Sequence, residues 1–202
     1  MSLWFIICAG CFFIAIPLHF GSVEHTKLVR KYGEEKGIRV GKMYGAISGT
    51  MELLLLIGLW VSPQPTFVIP ILQDLAISIC DASIPLLHLV ISLPLTAVGA
   101  WFGIEGARTT GWEAAETHSL PKKILTTGVY SIVRHPQYFG WSLVQVGMSV
   151  LFSAWYSMLF TPVLLVLIYL ISKKEEDELI KEFGKEYKDY QKNVPMLIPG
   201  WK

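Results

Sequence analysis

Polar side chains able to do chemistry crowd into one stretch of this sequence, residues 128–140, which reads GVYSIVRHPQYFG. Tyr130, Arg134, His135, Gln137 and Tyr138 offer hydroxyls, a guanidinium, an imidazole and an amide, a dense set of hydrogen-bond donors and acceptors. Pro136 suits the first turn of a helix, where its missing amide proton costs nothing, so His135 falls at the cap and Tyr138 one turn inside. The same residue types also suit an interfacial belt, with Arg134 on lipid phosphate and the tyrosines among headgroups.

A second cluster, Lys173-Lys174-Glu175-Glu176-Asp177-Glu178, follows a long uncharged run. Glu175 and Glu176 sit closest to that run and are expected to face back toward His135, whereas Asp177 and Glu178 read as a solvated first helical turn, where acids meet the helix dipole favourably. Glu52 stands in the middle of another apolar run, with Gly45, Ser48 and Gly49 on the same helical face. An intramembrane carboxylate of this kind either serves function or hydrogen-bonds across a small-residue packing face. Arg134 and Glu52 are the candidates for catalytic groups. His88 reads as structural. Cys8, Cys11 and Cys80 make no even disulfide framework, and no metal-ligand spacing appears.

The elements that must position these residues are membrane helices. The chain is 52% hydrophobic with mean hydropathy +0.48, too apolar for a soluble domain of 202 residues. All seventeen lysines and arginines fall in Lys27 to Lys42, Arg108 to Arg134 and Lys173 to Lys202. Crossing a bilayer takes about 20 apolar helical residues. Leu3 to Phe20, Met43 to Val61 and Ser83 to Ile104 each reach that length, and the uncharged stretch Pro136 to Ser172 accommodates two short spans turning near Ser153 to Tyr156. The expectation is an all-α integral membrane protein with five transmembrane helices, the last two forming a tight C-terminal hairpin. One membrane domain covers residues 1–202, with a three-span part over 1–104 and the hairpin and its flanks over 105–202.

Retention of basic residues on the cytoplasmic side places all three clusters inside, the N-terminus outside and the C-terminus in the cytoplasm. The first apolar run lacks a basic leader and a small-residue cleavage site, and is read as a retained span. The outer loop, with Pro63, Pro65 and Pro70, is expected to contain a turn or two of helix between Ile69 and Ile79. From Lys173 to Lys192, Leu179, Ile180, Phe183, Tyr187 and Tyr190 recur at helical spacing opposite four lysines, which predicts an amphipathic helix on the inner membrane surface. The clustered charge suits anionic lipid headgroups, not nucleic acid.

The run KKILTTGVYSIVRHPQYFG, residues 122–140, and the tail EEDELIKEFGKEYKDYQKNVPMLIP, with its Glu-Glu pair, Phe-Gly, Glu-Tyr and closing Val-Pro, resemble the isoprenylcysteine carboxyl methyltransferase and phospholipid methyltransferase superfamily. The two motifs cover about the last 80 residues. The resemblance implies S-adenosylmethionine as cofactor, held by Lys122, Lys123, Ile124, Leu125, Tyr130, His135, Pro136, Gln137 and Tyr138, with Glu175 completing the site and Glu176 beside it. It implies an acceptor that is lipophilic, an isoprenylcysteine-like carboxylate or a phospholipid headgroup, and an enzyme of the endoplasmic reticulum in a eukaryote or the plasma membrane in a prokaryote.

One position departs from the pattern. Isoprenylcysteine methyltransferases carry an arginine four residues before the glutamate matching Glu175, and here that residue is Ile171. Lys173, Lys174, Arg134 or Arg108 would have to replace it, or the acceptor needs no such cation. Two other readings compete: an NADPH-dependent sterol-type membrane reductase, whose tail pattern is related, and a small transporter or scaffold.

Overall fold

A computed structural model describes residues 2–71, 74–79, 82–117 and 123–201. Its helices are α1 (Leu3–Val23), α2 (His25–Tyr32), α3 (Glu34–Val61), α4 (Leu86–Thr110), α5 (Trp112–Thr117), α6 (Pro136–Leu151), α7 (Trp155–Phe183) and α8 (Lys185–Asn193), with a 3-10 turn over Gly128–Ser131. Four of them, α1, α3, α4 and α7, are long and apolar enough to cross a membrane. Leu54 on α3, Val90 and Leu93 on α4, and Val166 on α7 all point outward, each about 60% exposed. Apolar side chains on the outside of a helical bundle belong in lipid, and the chain is an integral membrane protein.

At 16 residues α6 rises about 24 Å and falls short of the length of its neighbours. It packs along α4 on small residues. A side-chain carbon added to Gly99 would lie 2.6 Å from the Gly140 carbonyl, and one added to Gly106 would lie 2.8 Å from Gln137 Cγ. Such close backbone approach lets helices associate without large apolar knobs. On the other side, Phe5, Phe12, Leu56, Leu59, Trp60, Phe160, Leu164 and Ile168 join α1, α3 and α7 in a core, with Phe12 and Phe160 edge to face at 5.5 Å. The turn between α6 and α7 falls at Phe152 to Ala154, as expected, with Ser153 at φ 52°.

Three expectations need correction. The outer loop holds an antiparallel hairpin instead of helical turns: β1 (Ala76–Ile79) pairs with β2 (Ala82–Pro85), Ile77 opposite Ile84. Isoleucines at Ile77, Ile79 and Ile84 favour extended backbone; Cys80 and Asp81 lie outside the described residues. The tail is not one amphipathic helix from Lys173 to Lys192. Helix α7 runs on to Phe183, Gly184 breaks it at φ 56°, and α8 starts afresh, burying Tyr187 and Tyr190. Glu178 is not solvated. It is 3% exposed and accepts hydrogen bonds from the amide and hydroxyl of Thr26, both at 2.7 Å, and from Lys181 at 2.6 Å. With three donors in place, burial of that carboxylate is compensated.

Candidate active site

Residues 128–140 are positioned by three constraints. Gly128 at φ 61° opens the 3-10 turn, Pro136 starts α6 with His135 at its cap, and the tail folds back so that the amides of Arg134 and His135 donate to the carbonyls of Pro195 (2.9 Å) and Met196 (3.1 Å). Tyr190 donates to the Tyr130 carbonyl at 2.5 Å, and the Tyr130 hydroxyl meets Thr110 at the end of α4 at 2.6 Å. Burial raises the pKa of both phenols, so each stays a neutral hydrogen-bonding group.

Below this loop Glu176 collects donors. It accepts from Arg134 Nε at 2.5 Å and from Gln191 Nε2 at 2.8 Å, and its Oε1 lies 3.4 Å from both the Tyr187 hydroxyl and His135 Nε2. Arg134 also donates to the carbonyls of Gln191 and Val194. The neighbouring carboxylate, Glu175, sits 3.2 Å from His135 Nδ1 and accepts from Tyr138 at 2.6 Å. Both expected glutamates therefore do face back toward His135. Burial alone would lower the His135 pKa, but hydrogen bonds and charge from Glu175 and Glu176 outweigh it and raise it. His135 and Tyr138 stack with ring centres 5.8 Å apart.

These groups form one end of a cavity of about 890 Å³. Ile124, Leu125, Tyr130, Arg134, His135, Pro136, Gln137, Tyr138 and Glu175 all line it, and Glu52 does as well. Two expected residues do not. Lys123 is exposed at the surface, and Glu176 lies behind the wall, holding Arg134. Lys122 lies outside the described residues. Away from the polar end the wall is apolar, with Phe12, Ile16, Leu53, Leu56, Leu164 and Ile168 contributed by α1, α3 and α7. A carboxylate, an amide and phenols beside apolar Ile124 and Leu125 can hydrogen-bond the polar part of a ligand while its apolar part packs on the wall.

Ile171, 3% exposed, is part of the wall. Of Arg108, Arg134, Lys173 and Lys174, only Arg134 lines the cavity, and it is engaged by Glu176 and two carbonyls. Lys174 pairs with Glu24 at 2.9 Å and Arg108 with Glu105 at 2.7 Å.

Sequence reasoning missed His19. Its Nδ1 lies 2.9 Å from Glu52 and its Nε2 3.0 Å from the Tyr138 hydroxyl. The available signal was a histidine near the C-terminal end of an otherwise apolar run, able to hydrogen-bond the one carboxylate in the next run. The buttressing role of Tyr187, Tyr190 and Gln191 was also hidden, since their partners come from 11 to 60 residues away.

The phospholipid methyltransferase family profile matches residues 87–186. A protein-S-isoprenylcysteine O-methyltransferase of Dictyostelium discoideum is 38% identical over 85 residues, covering 38% of this chain and 33% of that protein. A methanethiol S-methyltransferase of Crocosphaera subtropica is 34% identical over 110 residues, 54% of this chain and 42% of the relative. A third, methanethiol S-methyltransferase 1 of Bradyrhizobium diazoefficiens, is 29% identical over 154 residues, 76% of this chain and 52% of its own length. The chain thus spans about a third to a half of these relatives. The solved eukaryotic intramembrane Ras methyltransferase aligns over 99% of this chain and 87% of its own at 19% identity and TM-score 0.35, too loose a likeness to carry weight. The cavity wall from α4 through Glu175 lies within residues 87–186, the part of this chain that matches the phospholipid methyltransferase family and that is similar to the isoprenylcysteine and methanethiol methyltransferases.

Proposed function

We propose that this chain is an integral membrane methyltransferase that takes S-adenosylmethionine at the polar end of its cavity and a lipophilic acceptor along the apolar remainder. The observation that carries the reading is the single cavity itself: Tyr130, His135, Gln137, Tyr138 and Glu175 at one end, and apolar side chains of α1, α3 and α7 at the other. When bound, the cofactor supplies a methyl group already activated on a sulfonium, so the protein's task is to position the nucleophile and exclude water. Glu175 pairs with the ammonium or ribose, His135 and Gln137 hold the carboxylate, and Tyr130 and Tyr138 offer ring faces to cation or adenine. Ile124, Leu125 and Pro136 complete the apolar wall, with Lys123 exposed beside it. Arg134 and Glu176 act by holding the loop and tail that carry His135 and Glu175.

In the bilayer, α6 serves as the fifth span, which puts the N-terminus outside and the three basic segments in the cytoplasm. The cofactor enters from that side. The matched family and the relatives named above are methyltransferases, which favours methyl transfer over a sterol-type reduction or a transporter.

Calorimetry on the purified protein tests the cofactor site. S-adenosylhomocysteine should bind, and His135→Ala or Glu175→Ala should weaken it at least about tenfold, some 1.4 kcal/mol. Unchanged affinity in both variants rules the site out. Incubation with labelled S-adenosylmethionine and total lipid extract then identifies the acceptor.

A further inference from the structure

The cavity also holds a linked pair of ionisable side chains to which the cofactor reading assigns no role, His19 and Glu52. His19 on α1 is 3% exposed, and Glu52 on α3 lines the same wall. The His19 Nδ1 contacts both Glu52 oxygens, at 2.9 and 3.0 Å, its Nε2 meets the Tyr138 hydroxyl at 3.0 Å, and that hydroxyl donates to Glu175 at 2.6 Å. Helices α1, α3, α6 and α7 thereby contribute one side chain each to a line that joins the apolar part of the cavity to the cofactor end.

We propose that His19 and Glu52 take up the proton released when the acceptor is methylated, with Tyr138 passing it on, and that the acceptor is accordingly a lipophilic thiol or amine. The proposal rests on the methyltransferase reading above.

Proton counting along the line supports it. Tyr138 has one hydroxyl proton to give. While it is given to Glu175, His19 Nε2 must donate to Tyr138 Oη, and the short His19–Glu52 contact must hold a second proton. When the hydroxyl turns to His19 instead, Nε2 accepts, Nδ1 donates to ionised Glu52, and the pair is one proton poorer. Glu175 gives up the Tyr138 donor most readily when a cofactor ammonium or ribose hydroxyl replaces it. Occupation of the cofactor end thus favours the form of His19 and Glu52 that can accept a proton.

The step balances. The acceptor's sulfur or nitrogen forms the new bond to the methyl carbon with its own electron pair, and the bond from that carbon to the sulfonium breaks with its pair staying on sulfur. The acceptor's proton passes to Tyr138 Oη as the hydroxyl hands its own to His19 Nε2, and the pair later returns a proton to water. A carboxylate acceptor brings no proton and calls for a cation, yet Ile171 occupies the place where one is expected and Arg134 is held by Glu176. An extra carboxylate beside Glu52 and Glu175 would also meet like charge.

The test uses the whole protein in lipid nanodiscs with saturating S-adenosylmethionine and three probes: dodecanethiol, dodecylamine and dodecanoate. Methylation of the thiol or the amine is expected, with dodecanoate slower by about 100-fold or more. His19→Gln and Glu52→Gln should each lower kcat about 100-fold near neutral pH. They should leave the S-adenosylhomocysteine Kd within about threefold, because neither residue holds the cofactor. As pH rises and the thiol ionises unaided, the variants should recover while the wild type stays flat, a change that a purely structural role does not produce.

Wild-type kcat and pH profile in both variants, dodecanoate as the fastest probe, or cofactor binding with none of the three probes methylated each overturn the proposal. Wild-type protein that binds no S-adenosylhomocysteine sinks the methyltransferase reading itself. A second readout needs no turnover. In histidine-selective NMR, saturating S-adenosylhomocysteine should move the His19 ring-nitrogen resonances of the wild type and leave them in place in Tyr138→Phe; an equal shift in that variant breaks the relay.

Discussion

Among the described residues, two buried polar networks differ in kind, one between α3, α6 and α7 near Trp60 and Gln145, the other around the N-terminal end of α6. In the first, Trp60 donates to Gln145 Oε1 at 2.7 Å, and the Gln145 amide meets Ser149, Ser157 and Thr161 within 3.3 Å. Every member is neutral, and donors match acceptors. In the second, Arg134 pairs with Glu176 and His135 lies between Glu175 and Glu176, with His19, Glu52 and Tyr138 joined to them by hydrogen bonds. Most of that second network borders a cavity, whereas the first borders none of the cavity wall. A neutral, closed network specifies how helices pack; a charged one beside a void keeps lone pairs and protons available to a ligand.

Removing one group from each network makes the contrast measurable. Glu176→Ala leaves Arg134 buried with its main carboxylate partner gone and takes a partner from His135, Tyr187 and Gln191. Loss of one member of a buried ion pair costs about 3–5 kcal/mol, so thermal unfolding in detergent should fall sharply and cofactor binding with it. Gln145→Leu strands only neutral donors and acceptors, at about 1–3 kcal/mol. Its unfolding temperature should drop less, and S-adenosylhomocysteine should bind as it does to the wild type. Equal losses of binding in the two variants would erase the distinction between the networks.

The network around His135 also has a pH dependence that the neutral one lacks. The pKa of His135 is raised in the folded protein, because Glu175 and Glu176 favour the imidazolium more than burial opposes it. A histidine whose folded pKa lies above its unfolded value of about 6.5 stabilises fully below that pH, and the contribution is lost as pH rises through the folded value. Wild-type stability, followed by thermal unfolding, should therefore decline above about pH 6.5. In His135→Gln that decline should flatten, while Gln145→Leu should keep it. A slope unchanged by His135→Gln would remove the imidazolium from the account.

How much of this was legible in the sequence follows the reach of each interaction. The turn near Ser153 and the cap at His135 are local and appear where expected; four apolar runs fall in long helices, although the run from Ser83 starts in β2 and α6 is short. Glu175 and Glu176 were expected near His135 because the helices bearing them run side by side from a short turn. What stayed hidden depends on the chain's return: Glu178 under Thr26, Tyr190 under Tyr130, and His19 against Glu52. The long tail helix failed for a local reason that composition masks, since Gly184 takes a positive φ and starts a new helix. The β1–β2 hairpin was missed because β-branched residues in an apolar loop fit strand and buried helix alike.

The smallest expected effect comes from the residue that resemblance and geometry treat most differently. Lys123 belongs by motif to the cofactor stretch, yet its side chain is exposed, while Ile124 and Leu125, its immediate successors, line the cavity. A lysine in water at the rim meets an anionic ligand only through screened charge, worth well under a kcal/mol. Lys123→Ala should shift the S-adenosylhomocysteine Kd by no more than about threefold, and by less at high salt. Leu125→Ala removes part of the wall and should cost more, about 1–2 kcal/mol if the side chain packs on the ligand. Should Lys123→Ala be the more damaging of the two, the loop before Gly128 must close over the cofactor when it binds, and the rim would join the charged inner network.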